Sequence, residues 1–274
     1  MGGVILDQAL PSKQADQIDP FLLLHHWKTK YDKGKKQQEV GVGPHPHRGF
    51  SPVTFIFKGG VHHRDSTGVS EVVTAGGTQW MNSGSGIVHS ERPSLEVLEN
   101  GGEFELIQFW INAPAKHKMD KPVYQPLDEH KTPVIKSADG LSETYVIAGE
   151  MNGIKGEIRA HSDVLILRVN MKKEAKLNLS VPVDFNAFIY QLDGESTINN
   201  HEKIGDKSLV WFLNDDEKIS IQAASDVRLI LLSGKPINEP VATYGPFVMN
   251  TQDEIAQAIE DFQSGKMGNL VEQF

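Results

Sequence analysis

The chain has 274 residues, a formal net charge of −9, 39% hydrophobic residues and no cysteine. That length suits two compact domains or one large β-rich domain, and the apolar content is enough to build true cores. The missing cysteines exclude disulfide frameworks, zinc ribbons and thiol catalysis, and scattered Lys and Arg on an acidic chain give no basic stripe for direct nucleic-acid binding.

The apolar start Met1-Gly2-Gly3-Val4-Ile5-Leu6 turns polar at Asp7, too soon for a signal peptide, and Leu6 stands where a myristoylation motif needs Ser or Thr. No stretch reaches membrane-spanning length, so a cytoplasmic protein without a membrane partner is expected. The basic cluster from Lys28 to Lys36 reads as a solvated loop. Val53-Thr54-Phe55-Ile56-Phe57 reads as a strand stopped by Gly59-Gly60, and Phe104 to Trp110 alternates with the period of a strand. Prolines at 114, 122, 126 and 133 mark a boundary near Thr132, which predicts domains 1–132 and 133–274. Val164 to Leu167, Ala187 to Tyr190 and Val227 to Leu232 follow as further short strands. The whole predicts an all-β chain of sandwiches or barrels. Near the end, Thr251 and Glu254 form a capping box, Ile255, Ala258, Ile259 and Phe262 share one helical face, and Gly265 supplies a stop. This predicts one short amphipathic helix whose task is packing.

The chemistry lies in two pairs. In an extended chain, residues two apart point to the same side. Pro46 biases His45 towards extended angles, so His45 and His47 present both imidazoles to one point. His89 and Glu91 repeat this geometry some forty residues later. On facing strands the two pairs supply three neutral nitrogens and one carboxylate for a single divalent transition metal. Iron, manganese, nickel, copper and zinc all suit such donors, and open coordination positions would remain for a substrate.

Taken in order, His45-Pro46-His47-Arg48-Gly49-Phe50, Gln79-Trp80-Met81 and Gly86-Ile87-Val88-His89-Ser90-Glu91 resemble the pirin family. Asp19-Pro20-Phe21, Pro114-Ala115-Lys116, Glu239-Pro240-Val241 and the run Tyr244 to Thr251 extend the likeness over nearly the whole chain. The resemblance implies two cupin barrels (double-stranded β-helix, or jelly-roll) in tandem, with metal only in the first, held by His45, His47, His89 and Glu91. It implies iron as the first choice of metal. It also implies a quercetin-type dioxygenase, an oxidoreductase acting on a flavonol-like aromatic and O2; as the only carboxylate of the donor set, Glu91 is expected to be both ligand and proton handler. The second reading is a metal-binding transcriptional co-regulator or docking module with a protein partner. The chain departs from the pattern at Ser51-Pro52, where the general motif carries a glutamate at position 51. That puts the pocket edge in question.

The remaining candidates have plainer readings. His25-His26 and His62-His63 are adjacent, so a strand turns their side chains opposite ways. They read as surface residues or as hydrogen-bond partners of a ligand side chain. Arg48 is expected to pair with a carboxylate, and Gln79-Trp80-Met81 to pack. Gly84 and Gly86 are expected to allow a tight turn. His161 and His201 form no chelating pair, so no second metal site is expected.

Overall fold

The computed structural model describes residues 6–274; the expectations for the segment before Leu6 lie outside them. The chain divides into two compact units. The first comprises the residues through Gln17, Phe21–His130 and Ile237–Phe274. The second comprises Ile18–Pro20 and Lys131–Pro236.

In the first unit, β1 (Asp7–Leu10), β2 (Phe21–Tyr31), β3 (Val42–His47), β4 (Phe50–Lys58), β5 (Gly60–Asp65), β6 (Ser70–Thr74), β7 (Thr78–Asn82), β8 (Ile87–Pro93), β9 (Gly102–Asn112) and β10 (Val123–Leu127) form two antiparallel sheets. A short helix, α1 (Leu95–Asn100), precedes β9. The larger sheet runs β1-β2-β9-β4-β7-β10 and the smaller β3-β8-β5-β6. Side chains of both sheets meet in one interior, where Ile56, Leu106 and Phe104 pack with Val61 and Val73. Alternation decides what else enters: Thr54 on β4 and Gln108 on β9 reach Glu91, whereas Ser51 lies on the other face of β4, where it is buried and donates to Asn82 Oδ1 at 2.8 Å. The loop expected from Lys28 to Lys36 begins later: β2 continues to Tyr31, with Lys28 opposite Glu105, and only residues 32–36 are an exposed turn.

The second unit repeats the plan. Its sheets are built from β11 (Val134–Lys136), β12 (Ser142–Ala148), β13 (Glu150–Met151), β14 (Ile154–Lys155), β15 (Val164–Met171), β16 (Lys176–Ser180), β17 (Asn186–Asp193), β18 (Ser196–Ile198), β19 (Glu202–Ile204), β20 (Ser208–Trp211), β21 (Lys218–Ala223) and β22 (Val227–Gly234). Six strands run β11-β12-β15-β22-β17-β20 and four run β16-β21-β18-β19, with β13 and β14 as a separate hairpin. Every sequence-predicted strand of this half is present. Its centre is filled by apolar side chains of both sheets, among them Val146, Leu167, Leu231, Leu179 and Ile221.

The expected second domain of 133–274 needs correction. After β22 the chain returns to the first unit as a hairpin, β23 (Ala242–Tyr244) and β24 (Phe247–Met249), and a helix, α2 (Gln252–Gln263). Thr251 Oγ1 accepts from Glu254 N, and the Glu254 carboxylate accepts from Thr251 N, completing the predicted capping box. The helix goes where its apolar face finds a partner. Ile255 and Ala258 pack on Phe247, Met249 and Val88, a cluster closed by Met267. Burying an isoleucine in this way stabilises by roughly 1.5–3 kcal/mol.

Backbone bonds reinforce the return, since Val248 N donates to Arg48 O at 3.1 Å and Arg48 N to Pro246 O at 3.4 Å. Arg48 pairs with Asp261 on α2 at 2.9 Å, as its plainer reading anticipated. Lys118 is buried among these segments. Its Nζ donates to Gly49 O, Asn112 Oδ1 and Val248 O, and burial pulls its pKa down to about 8. No helix is long and apolar enough to cross a membrane among the described residues.

Candidate metal centre

The register of the smaller sheet assembles the site. His45 on β3 lies directly opposite His89 on β8, and β5 on the other side of β8 sets Asp65 opposite His89 and His63 opposite Glu91. The imidazoles of His45, His47 and His89 converge, each offering a nitrogen within 4.8 Å of the others. Their ring centroids lie 4.4–5.0 Å apart.

Each ring has one nitrogen engaged and one left over. His45 Nδ1 lies 2.8 Å from Gly43 O, and His47 Nδ1 lies 3.3 Å from Pro246 O. A carbonyl only accepts, so both Nδ1 atoms carry the proton and both Nε2 atoms keep a lone pair. His89 Nε2 is buried with no hydrogen-bond partner at all. A buried polar nitrogen left so is costly unless something fills its lone pair, and a cation does so. Burial, above all, holds His47 and His89 well below the usual imidazole pKa, so both are neutral nitrogen donors. These residues fit a divalent transition metal.

Glu91, the fourth residue expected from the sequence, is not brought into that group. Its Oε1 accepts from Gln79 Nε2 and from Thr54 Oγ1 at 3.3 Å, and its Oε2 accepts from Gln108 Nε2 at 2.9 Å. Tyr124 in turn donates to Gln79 Oε1 at 3.2 Å. Burial first, then the carboxylates of Glu91, Glu71 and Asp65, raises the Tyr124 phenol well above its usual pKa, so it stays a donor. An aromatic wall stands beside His47: Phe50 at 5.0 Å and Trp110 at 5.5 Å between ring centroids. His45, Glu91, Gln108 and Trp110 are only half-buried, so this side of the interior is reachable from solvent.

Several residues of the site carry roles that the sequence patterns left unassigned. Gln79 was expected to pack but ties Tyr124 to Glu91, while its neighbour Trp80 does pack in the core. His63 is buried, stacks on Tyr124 with centroids 3.9 Å apart, and touches His89, which the hydrogen-bond-partner reading of the His62-His63 pair had allowed. His62 turns the other way, to Ser70 Oγ at 2.9 Å. Asp65 receives His63 Nε2 at 2.9 Å. Burial works against its charge, but the hydrogen bonds from His63 and Thr67 outweigh this and hold its carboxyl below the usual range.

Two antiparallel barrels, the first holding converging imidazoles on its smaller sheet, define a bicupin with a histidine-lined centre. The chain belongs to the pirin family. The Pirin profile matches residues 3–111 and the Pirin C-terminal cupin domain matches residues 166–268. The chain is 36% identical to Pirin-like protein 2 of Arabidopsis thaliana, over 97% of this chain and 81% of that one. It is 33% identical to the Pirin of Homo sapiens, over 97% and 89%. A solved structure of quercetin 2,3-dioxygenase from Acinetobacter baumannii is similar at a TM-score of 0.89 and 35% identity, covering 94% of this chain and 90% of that one.

Proposed function

We propose that the chain is a metal-dependent dioxygenase that cleaves a flavonol-like aromatic with O2, using one ion held by His45, His47, His89 and Glu91. The observation that carries the reading is the set of converging imidazoles with the bare, buried Nε2 of His89, beside an aromatic wall reachable from solvent. The likeness to a quercetin 2,3-dioxygenase at 35% identity supports the substrate class. Iron is the proposed ion, and the apolar filling of the second barrel supports placing it in the first alone.

When bound, the ion supplies the redox and Lewis-acid chemistry that couples O2 to the organic ring. The chain supplies orientation and proton handling. Trp110, partly exposed and backed by the buried Phe50, offers a ring face for the flavonol to pack against. Glu91 would hold the ion as the fourth donor, and its carboxylate is the group that would accept the proton of the substrate hydroxyl. General-base help of this kind contributes roughly 10²–10⁴-fold. Gln79 and Gln108 keep the carboxylate aimed, with Tyr124 holding the Gln79 amide in the orientation that donates.

The test is oxygen uptake with quercetin by protein carrying one equivalent of Fe(II), with His45→Ala as control. Uptake should match flavonol loss one to one, and His45→Ala should lose both metal and turnover. A fully loaded chain that consumes no O2 with quercetin or related flavonols would overturn the catalytic reading and favour the metal-dependent docking protein.

A further inference from the structure

We infer that Asp65 and His63 are positioning residues that set the tautomer of His89, so that its Nε2 lone pair faces the metal site; this rests on the metal-binding reading above. The relay starts at Asp65. Its Oδ1 accepts from Thr67 N at 2.8 Å, Thr67 Oγ1 at 2.6 Å and Val69 N at 3.3 Å, which fixes the carboxylate in its turn. Oδ2 is left to accept from His63 Nε2 at 2.9 Å. A neutral imidazole has one N–H, so His63 Nδ1 is then an acceptor only.

The atom facing it is His89 Nδ1, 3.4 Å away, which must be the donor. The single proton of His89 is thereby spent on Nδ1, and Nε2 is bare. That is the same atom found buried without a partner. The stack on Tyr124, with an interplanar angle of 7°, keeps the His63 ring in the plane this relay needs.

His45 and His47 reach the same end state through main-chain carbonyls, which no substitution can reverse. His89 alone depends on side chains. Its donor state can therefore be inverted at a distance by one isosteric change. In Asp65→Asn the amide oxygen stays with the Thr67 donors, and the NH2 group turns to His63 Nε2 as a donor. His63 must then carry its proton on Nδ1 and donate to His89 Nδ1, and His89 moves its own proton to Nε2. Ligand-orienting partners of this kind typically govern about 10–100-fold in metal affinity.

Long-range ¹H–¹⁵N NMR on the metal-free full-length chain reads which imidazole nitrogen carries hydrogen. Wild type should show His89 as the Nδ1–H tautomer and His63 as Nε2–H. Asp65→Asn should reverse both and weaken Co(II) binding about 10–100-fold in a chelator competition. Wild-type His89 protonated at Nε2 would overturn the inference. So would an Asp65→Asn variant with an unchanged tautomer and unchanged Co(II) affinity. Should that variant fail to fold, His63→Phe keeps a ring on Tyr124 but removes the acceptor. It must weaken Co(II) binding over the same range, and full affinity there would also overturn the inference. A wild type with the stated tautomers that binds no Co(II) would instead sink the metal-binding reading and leave the relay standing.

Discussion

Gly49→Ala probes how the returning C-terminal segment supports the metal centre. Gly49 has φ +86°, and a Cβ built there would stand 2.0 Å from Val248 O. The left-handed backbone costs an L-residue about 1–2 kcal/mol. The clash is with a main-chain carbonyl, so no rotamer relieves it, and the displacement resembles overpacking at about 1–3 kcal/mol. The expected loss is about 2–5 kcal/mol, a large share of the ~5–15 kcal/mol typical of a domain.

The same movement pushes β24 off Arg48 and draws Pro246 O away from His47 Nδ1, so metal affinity should fall together with stability. Urea denaturation should show the transition of the first unit shifted down by roughly 1–2 M, given a typical m-value. Gly34→Ala is the control, because Gly34 has φ +84° with nothing within 4 Å of its Cβ. It should show the backbone cost alone and bind metal normally. If Gly49→Ala matched Gly34→Ala in both stability and metal affinity, the buttressing role of the hairpin would be refuted.

Glu91→Gln retains shape and an oxygen while removing the charge, and it sets an NH2 group against the donors Gln79 and Gln108. It should keep part of the metal, measured by elemental analysis, and lose most quercetin turnover; wild-type turnover at full occupancy would reduce Glu91 to scaffolding. Asp261 is held down to about 2 by hydrogen bonds from Lys266 first, then Arg48 and Gln257. Its folded pKa is depressed, so its contribution is fully present above the ordinary carboxylate range near 4 and is lost as pH falls through about 2. The melting temperatures of wild type and Asp261→Asn should accordingly converge between pH 4 and pH 2, and a constant gap would refute the linkage.

Local pattern determined a good deal by itself. Alternation in 104–110 and the apolar runs at 164–167, 187–190 and 227–232 announced strands, and the Thr251–Glu254 box announced the helix, because these signals act within a few residues. The pairs His45/His47 and His89/Glu91 were legible for the same reason: two-residue spacing on a strand is enough to put side chains on one face. What the sequence could not carry was register and return. Which of His62 and His63 enters the barrel depends on how β5 pairs with β8, a choice made by partners some thirty residues away. The hydrogen bonds that engage Glu91 come from Thr54, Gln79 and Gln108, on three other strands. The carbonyl that orients His47 lies 199 residues along the chain. Residues 237–274 rejoin the first unit because the apolar face of α2 finds its complement at Val88, Phe247 and Met249, and such complementarity exists only once the sheets are folded.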